Sequence, residues 1–191
     1  MSFRNLEVDM PGETVKGFDL DIRKGEIIGL GGLAGQGKIG ISNGILGLYP
    51  SDGNITYEGK ALPLNNPLGV LKRKIAFVSE DRRNVGLILS ESIEENIAIG
   101  ALRVNGRFLK KFGPITQIDK KAVKENSDQM IQDFKIKCVS GKQHVSDLSG
   151  GNQQKVCMAR ALTMEPDLLF VSEPTRGIDI GAKQLLLDHL V

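Results

Sequence analysis

A glycine-dense turn that follows an apolar run constrains this chain more than any other feature. Residues 28–38 read IGLGGLAGQGK and contain the spacing Gly32-x-x-x-x-Gly37-Lys38. Backbone N–H groups converge on an anion in such a turn, because a Cβ atom there would hold the anion away. A helix that opens at Ile39 points its positive end at the same place, and Lys38 adds a charge for outer phosphates. The spacing predicts a phosphate-binding loop between a buried strand and a helix.

One position in this loop departs from the usual pattern. The residue after the lysine is normally Ser or Thr, whose hydroxyl binds Mg²⁺, and here it is Ile39. A glycine turn without that hydroxyl is equally compatible with an ordinary tight turn. The segments downstream therefore decide the interpretation.

Hydrophobic periodicity predicts an α/β chain with an inserted helical block. Residues 3–9 and 15–22 alternate in polarity, which is typical of an antiparallel edge sheet. The apolar run 26–31 predicts a strand buried on both sides in a parallel sheet. Further elements are predicted as a helix after residue 38, a hairpin arm at 54–58, a strand at 75–78 and an apolar strand from 168.

Residues 90–138 change character and predict an inserted subdomain. Ser92 and Glu95 have the spacing of a helix capping box, and an apolar stripe at 130–136 predicts another helix. The region 102–121 is basic and is predicted to be irregular. Its lysine pairs favour a solvated face over a nucleic-acid interface, because no aromatic residues are interleaved with them.

Two C-terminal segments carry further signals. The segment LSGGNQQK at 148–155 places Ser149 as the N-cap of a helix, which is either an ordinary capped helix or a second anion-binding helix terminus. The segment DLLFVSEPTRGID at 167–179 is an apolar strand that ends in the carboxylate of Glu173. A carboxylate at such a strand end can polarise a water molecule beside a phosphate site.

Taken in this order, the segments resemble an ATP-binding cassette domain, the ATPase half of ABC transporters. Five stretches match the Walker A loop, the Q-loop, the signature, the end of Walker B and the D-loop, which are residues 32–39, 79–82, 148–155, 171–173 and 177–179. The strings SEDRR, LSGGNQQKV and EPTRGIDIGAK further resemble the second of two cassettes fused in importers of simple sugars and nucleosides, of the ribose, galactose and xylose type.

The resemblance implies an α/β P-loop NTPase fold with a RecA-like core, an antiparallel β edge subdomain and an α-helical signature subdomain. Residues 1–89 and 166–191 would form the core and β subdomain, and residues 90–165 the signature subdomain. The final strands of the family, with their switch histidine, are absent, so a C-terminally truncated domain is expected. His144 and His189 do not lie in the context of that switch residue.

The resemblance also assigns site residues. Glu173 matches the catalytic base. The positions assigned to nucleotide binding are Gly32, Gly35, Gln36, Gly37, Lys38, Ile39, Gly40, Glu80, Ser149, Gly150, Gly151, Gln153 and Asp179. The magnesium positions are occupied by Ile39, Ser172 and Glu80, of which only Glu80 offers a charged oxygen ligand, so Mg²⁺ would be held weakly or through phosphates alone. No aromatic residue lies at 10–14, where the family stacks adenine, and Phe18 is assigned to the core.

The function implied is the ATP-binding subunit of a sugar or nucleoside importer, which binds ATP at a dimer interface, is coupled to a membrane permease and has a degenerate hydrolytic site of its own. Two alternatives are a non-hydrolysing cassette that completes its partner's site and, less favoured, a soluble cassette that acts on nucleic acid or ribosomes. The partners implied are a second cassette, fused in the same polypeptide in that family, permease subunits and, indirectly, a periplasmic or lipoprotein solute-binding protein.

The resemblance implies a peripheral protein on the cytoplasmic face of the membrane. The net charge of +2 gives no reason to expect nucleic acid as a partner. No apolar run approaches the roughly 20 residues of a membrane span, and no signal peptide is recognised at the N-terminus. The two cysteines have no metal-binding spacing and indicate a reducing compartment.

Overall fold

An antiparallel sheet of four strands is the frame of the first unit of the chain. The computed structural model describes residues 1–175, which divide into one unit from Met1 to Ile75 and another from Ala76 onward. The strands are β1 (Ser2–Val8), β2 (Val15–Asp21), β3 (Ser51–Tyr57) and β4 (Lys60–Ala61), in the order β2-β1-β3-β4. The predicted edge sheet and hairpin are both confirmed. Phe3, Leu6 and Ile55 are buried between the sheet and the rest of this unit.

Helix α1 (Lys38–Ile45) follows the glycine loop and packs beside β1. A Cβ atom at Gly44 would overlap the side chain of Val8, so this helix position requires a glycine for close packing on the strand. The sequence alone indicates only that Gly44 weakens the helix. A second, short helix, α2 (Pro67–Leu71), is capped by the side chain of Asn66, which accepts from the N–H of Gly69.

The predicted strand at 26–31 is wrong. These residues are in no strand, and Ile27 and Leu30 are 72% and 44% exposed. A strand buried on both faces needs hydrogen-bonding neighbours, and no strand among residues 1–175 pairs with this segment. The apolar run therefore leads to the glycine loop without regular secondary structure.

The second unit contains a strand pair and three packed helices. β5 (Ile75–Val78) pairs with β8 (Leu168–Val171). Helices α3 (Ile93–Asn105), α4 (Lys120–Asp133) and α5 (Gly150–Thr163) pack around Ile97, Phe134 and Met158, which are buried. The capping box at Ser92 and Glu95 is confirmed, because each side chain accepts from the other residue's backbone N–H.

The region 102–121 is ordered, so the prediction of an irregular segment is wrong. Between α3 and α4 lies a hairpin of β6 (Leu109–Phe112) and β7 (Ile115–Ile118), paired in antiparallel register. Gly113 adopts a φ of 60° in its turn, a conformation that glycine adopts at little steric cost. The four lysines of the region conceal this hairpin signal in the sequence.

Residues 176–191 lie outside the described part of the chain. The predicted D-loop with Asp179 falls there, as does His189, and the assignment of the D-loop stays a prediction. The boundaries proposed for the core and signature subdomains also stay predictions. Within residues 1–175, no helix combines the length and the apolar character that crossing a bilayer requires.

Candidate functional site

The glycine loop packs against the segment that joins β1 to β2. Gly37 is the N-cap of α1 and has a φ of 84°. A Cβ atom there would lie 3.0 Å from the carbonyl oxygen of Thr14, and one at Gly40 would overlap the carbonyl oxygen of Glu13. The glycines are therefore needed for close approach of another backbone segment as well as for their own conformation.

The loop's N–H groups already hold an anion that belongs to the chain. The N–H of Gly35 donates to Oε1 of Glu13 at 2.9 Å, and that of Gly37 donates to Oε2 at 2.8 Å. Glu13 is only 8% exposed. No local sequence pattern marks this residue, because its contact joins positions more than 20 apart. The loop is thus shaped to bind two acceptor oxygens of one anionic group.

The remaining loop residues fold back on the loop. Lys38 Nζ donates to the carbonyl oxygen of Gly32 at 3.0 Å, and the N–H of Leu33 lies 3.3 Å from Oε1 of Gln36. An open cavity of ≈ 510 Å³ adjoins the loop and is lined by loop residues, by β2 and by Ile41 of α1. Phe18 on β2 borders this cavity and also packs edge-to-face on Phe3, so its assignment to the core is incomplete.

Gly40→Ala should destabilise this arrangement, because its new Cβ would collide with the backbone of Glu13. We expect a loss of about 1–3 kcal/mol in the free energy of unfolding, as is typical of overpacking. Gly29→Ala is the matched control, since a Cβ there meets no atom within 4 Å. Chemical denaturation of both variants measures the difference. Equal stabilities would show that segment 12–14 does not lie on the loop as described.

In the second unit, two strand ends bring the predicted Q-loop and Walker B residues next to each other. The N–H of Ser172, just after β8, donates to the carbonyl oxygen of Val78 at the end of β5. Glu80 and Glu173 each follow one of these strands. Glu173 is exposed and has a φ of 47°, a sparsely populated conformation for a residue with a side chain, and such conformations cluster at functional sites. Ser172 is buried.

A wide helical turn (Arg82–Gly86) begins in the Q-loop and contacts the signature helix α5. Asp81 begins the turn, and its Oδ1 accepts from the N–H of Asn84. Arg160 of α5 donates to the carbonyl oxygen of Gly86 at 2.7 Å. A Cβ atom at Gly150 would lie 2.7 Å from Nη2 of Arg82, so the guanidinium of Arg82 lies directly beside the start of α5. This cation next to the signature is a second feature that the sequence analysis misses.

The signature residues face both outward and inward. The predicted N-cap position of Ser149 at the start of α5 is confirmed. Its side chain is exposed, and the hydroxyl accepts from Asn152 at 3.0 Å and makes no cap bond to a helix N–H. Gln153 is buried and its amide lies within hydrogen-bonding distance of the carbonyl oxygens of Val145 and Leu148. It therefore supports the turn before the signature, whereas Gly150 and Gly151 are half-buried at the helix start.

Comparison with known proteins decides the family. A family model for the ABC transporter matches residues 15–176, which is most of the chain. The chain belongs to the ABC transporter family. This ABC domain is 42% identical to the ribose import ATP-binding protein RbsA of Bacillus licheniformis over 164 residues, which cover 85% of the chain and 32% of that relative. It is 37% identical to the xylose import ATP-binding protein XylG of Thermoanaerobacter pseudethanolicus, over 92% of the chain and 34% of that relative.

A solved structure confirms the fold of this ABC domain. The ATP-binding cassette MJ0796, in a dimeric post-hydrolysis state bound to ADP and Pi, superposes with a TM-score of 0.77 at 22% identity and covers 99% of this chain and 80% of that one. The predicted α/β cassette fold is thereby confirmed. The ABC domain spans about a third of the length of the curated relatives that it matches.

Within residues 1–175, one of the predicted magnesium positions offers no oxygen ligand. Ile39 is half-buried and carries no oxygen ligand in its side chain. No group of three or more His, Cys, Asp or Glu side chains suited to a metal ion occurs within residues 1–175. Burial raises the pKa of the Cys157 thiol to about 12, and burial also raises that of Cys138, so neither thiol favours the thiolate that binds metals. Magnesium prefers oxygen ligands, so the weak magnesium binding that the resemblance implies stays a prediction.

Proposed function

We propose that this ABC domain is the ATP-binding part of an importer of simple sugars or nucleosides and that it binds ATP through its phosphate loop. The observation that carries the proposal is the convergence of the Gly35 and Gly37 N–H groups on a carboxylate, because the same donors suit phosphate oxygens. The similarity to RbsA and XylG supports the substrate class. By analogy with these relatives, the domain is a peripheral partner of a membrane permease on the cytoplasmic face.

We assign to this domain a weak hydrolytic site of its own. Glu173 keeps the carboxylate of the catalytic base at an exposed strand end. The magnesium positions, however, hold Ile39 and the uncharged, buried Ser172. Binding of nucleotide through backbone and Lys38 contacts therefore survives, while charge stabilisation in the transition state is reduced.

The signature serves a second cassette in this proposal. Ser149 is exposed, and the glycines after it open the N-terminus of α5, a helix of 14 residues. Such a terminus favours negative charge. We assign it to the γ-phosphate of ATP held by the partner cassette. The dimeric ADP complex of MJ0796 is the structural precedent for a nucleotide-bound pair of cassettes.

The second candidate is a non-hydrolysing cassette that only completes its partner's site. The side chain of Ile39 favours it, since a hydrocarbon stands where a ligand hydroxyl is usual. The two candidates differ in one measurable quantity, the rate of ATP hydrolysis at this domain's own loop.

Lys38→Ala in the full-length protein should weaken ATP binding at this site at least tenfold, because the lysine supplies the point charge for outer phosphates. Lys24→Ala is the matched control, since Lys24 is exposed in the turn after β2. Equilibrium titration with a fluorescent ATP analogue reports both affinities. If the parent protein does not bind ATP at this site, or if both variants bind equally well, the loop is not a nucleotide site.

A further inference from the structure

The anionic group bound in the phosphate loop is a side chain of the protein itself, the carboxylate of Glu13. We propose that Glu13 is an internal competitor of the nucleotide phosphate, which holds the loop in a closed resting state until ATP displaces it. The inference rests on the proposed function, because it requires that a phosphate group bind at the same donors. It adds a regulatory element that the loop sequence does not contain.

The geometry is that of a substitute ligand. Each carboxylate oxygen of Glu13 accepts from a different glycine N–H, at 2.9 and 2.8 Å, so both oxygens are used. These distances are those of charge-assisted hydrogen bonds. A phosphate oxygen that binds the Gly35 and Gly37 N–H groups must take the same positions. Carboxylate and phosphate are both anions and cannot share them without strong like-charge repulsion.

Displacement of the side chain also involves the backbone of its segment. Glu13 is buried, and the carbonyl oxygens of residues 12–14 lie close against Gly35, Gly37 and Gly40. Loss of the Glu13 contacts therefore removes the main polar link between this segment and the loop. Lys38 is also in a resting position, with its ammonium on the carbonyl oxygen of Gly32. Nucleotide binding would then release Glu13, reorient Lys38 and expose the segment between β1 and β2.

The ligand class follows from the donors. Two N–H groups and one lysine recognise phosphate oxygens and do not read a base. The loop should therefore respond to inorganic pyrophosphate as well as to ATP, and Glu13 should oppose both to a similar extent.

The test is the affinity of the full-length protein for ATP and for pyrophosphate, measured by calorimetry. Glu13→Gln keeps the size and one acceptor oxygen but removes the charge, so both ligands should bind at least tenfold more tightly, the change that loss of one charge-assisted hydrogen bond typically gives. Glu13→Asp keeps the charge but shortens the side chain, so it cannot bridge both N–H groups and should give a smaller gain. Glu7→Gln, at an exposed carboxylate on β1, is the control and should leave both affinities unchanged.

Hydrogen exchange of the loop amides gives an independent readout. Without nucleotide, Glu13→Gln and Glu13→Asp should exchange faster than the parent over residues 33–40, and ATP should restore protection in both. If the parent binds ATP and both Glu13 variants bind no more tightly, the competitor role is wrong although the proposed function stands. If neither the parent nor any variant binds ATP or pyrophosphate at this loop, the proposed function fails and this inference fails with it.

Discussion

Ile39→Ser combined with Ser172→Asp should raise the magnesium-dependent ATPase rate of this domain by about 10²-fold, because loss of a positioned transition-state contact costs on the order of 10²–10³ in rate. The double change supplies an oxygen ligand at each of the two positions that the family assigns to magnesium. The resemblance assigns the base to Glu173, which is exposed. The single changes should give less than the pair, since ligands of one ion do not act additively.

Steady-state phosphate release in the full-length protein, with the partner cassette's own base substituted, measures this rate. The control Ile39→Ala with Ser172→Asn is close in size to the double variant but supplies no hydroxyl and no carboxylate, so it should show a much smaller gain. A parent rate near 1 s⁻¹ or above, a typical enzyme value, would contradict the weak hydrolytic site. An unchanged rate in the double variant would show that magnesium ligation is not what limits it.

Local patterns predict much of the fold. The edge sheet follows from alternation in β1 and β2, and the start of α3 follows from the spacing of Ser92 and Glu95. The prediction of a strand at 26–31 is wrong, because a buried strand depends on neighbouring strands that its own residues do not specify. The hairpin of β6 and β7 is not predicted from the sequence for another reason, namely that its lysines and exposed apolar residues give a mixed signal.

The candidate site divides in the same way. The glycine loop, the signature and the strand-end carboxylates are visible as motifs, because their chemistry requires residue types at fixed spacing. The contacts of Glu13 and Arg82 are not visible, because each residue contacts a position far along the chain, the first at Gly35 and Gly37 and the second at Gly150. Gln153 is visible in the signature, yet its buried hydrogen bonds assign it to support of the preceding turn.

The largest effect is expected at the signature. Ser149→Arg places a long cation at the exposed start of α5, where the proposed γ-phosphate of the partner's ATP must approach. The bulk of the arginine would hold the two cassettes apart and prevent exclusion of water from the partner's site. We expect a loss of at least 10²-fold in transport-coupled ATPase activity, the size of one lost transition-state contact. Ser146→Arg is the matched control, since Ser146 is also exposed and precedes the signature.

The most direct test of the whole account compares Ser149→Arg with Lys38→Ala in the assembled transporter, by ATPase activity coupled to transport. We predict that Ser149→Arg abolishes the activity, while Lys38→Ala, which affects only this domain's weak site, lowers it by severalfold at most. If Lys38→Ala is the more damaging change, this domain is an active hydrolytic half and the assignment of a weak site is wrong.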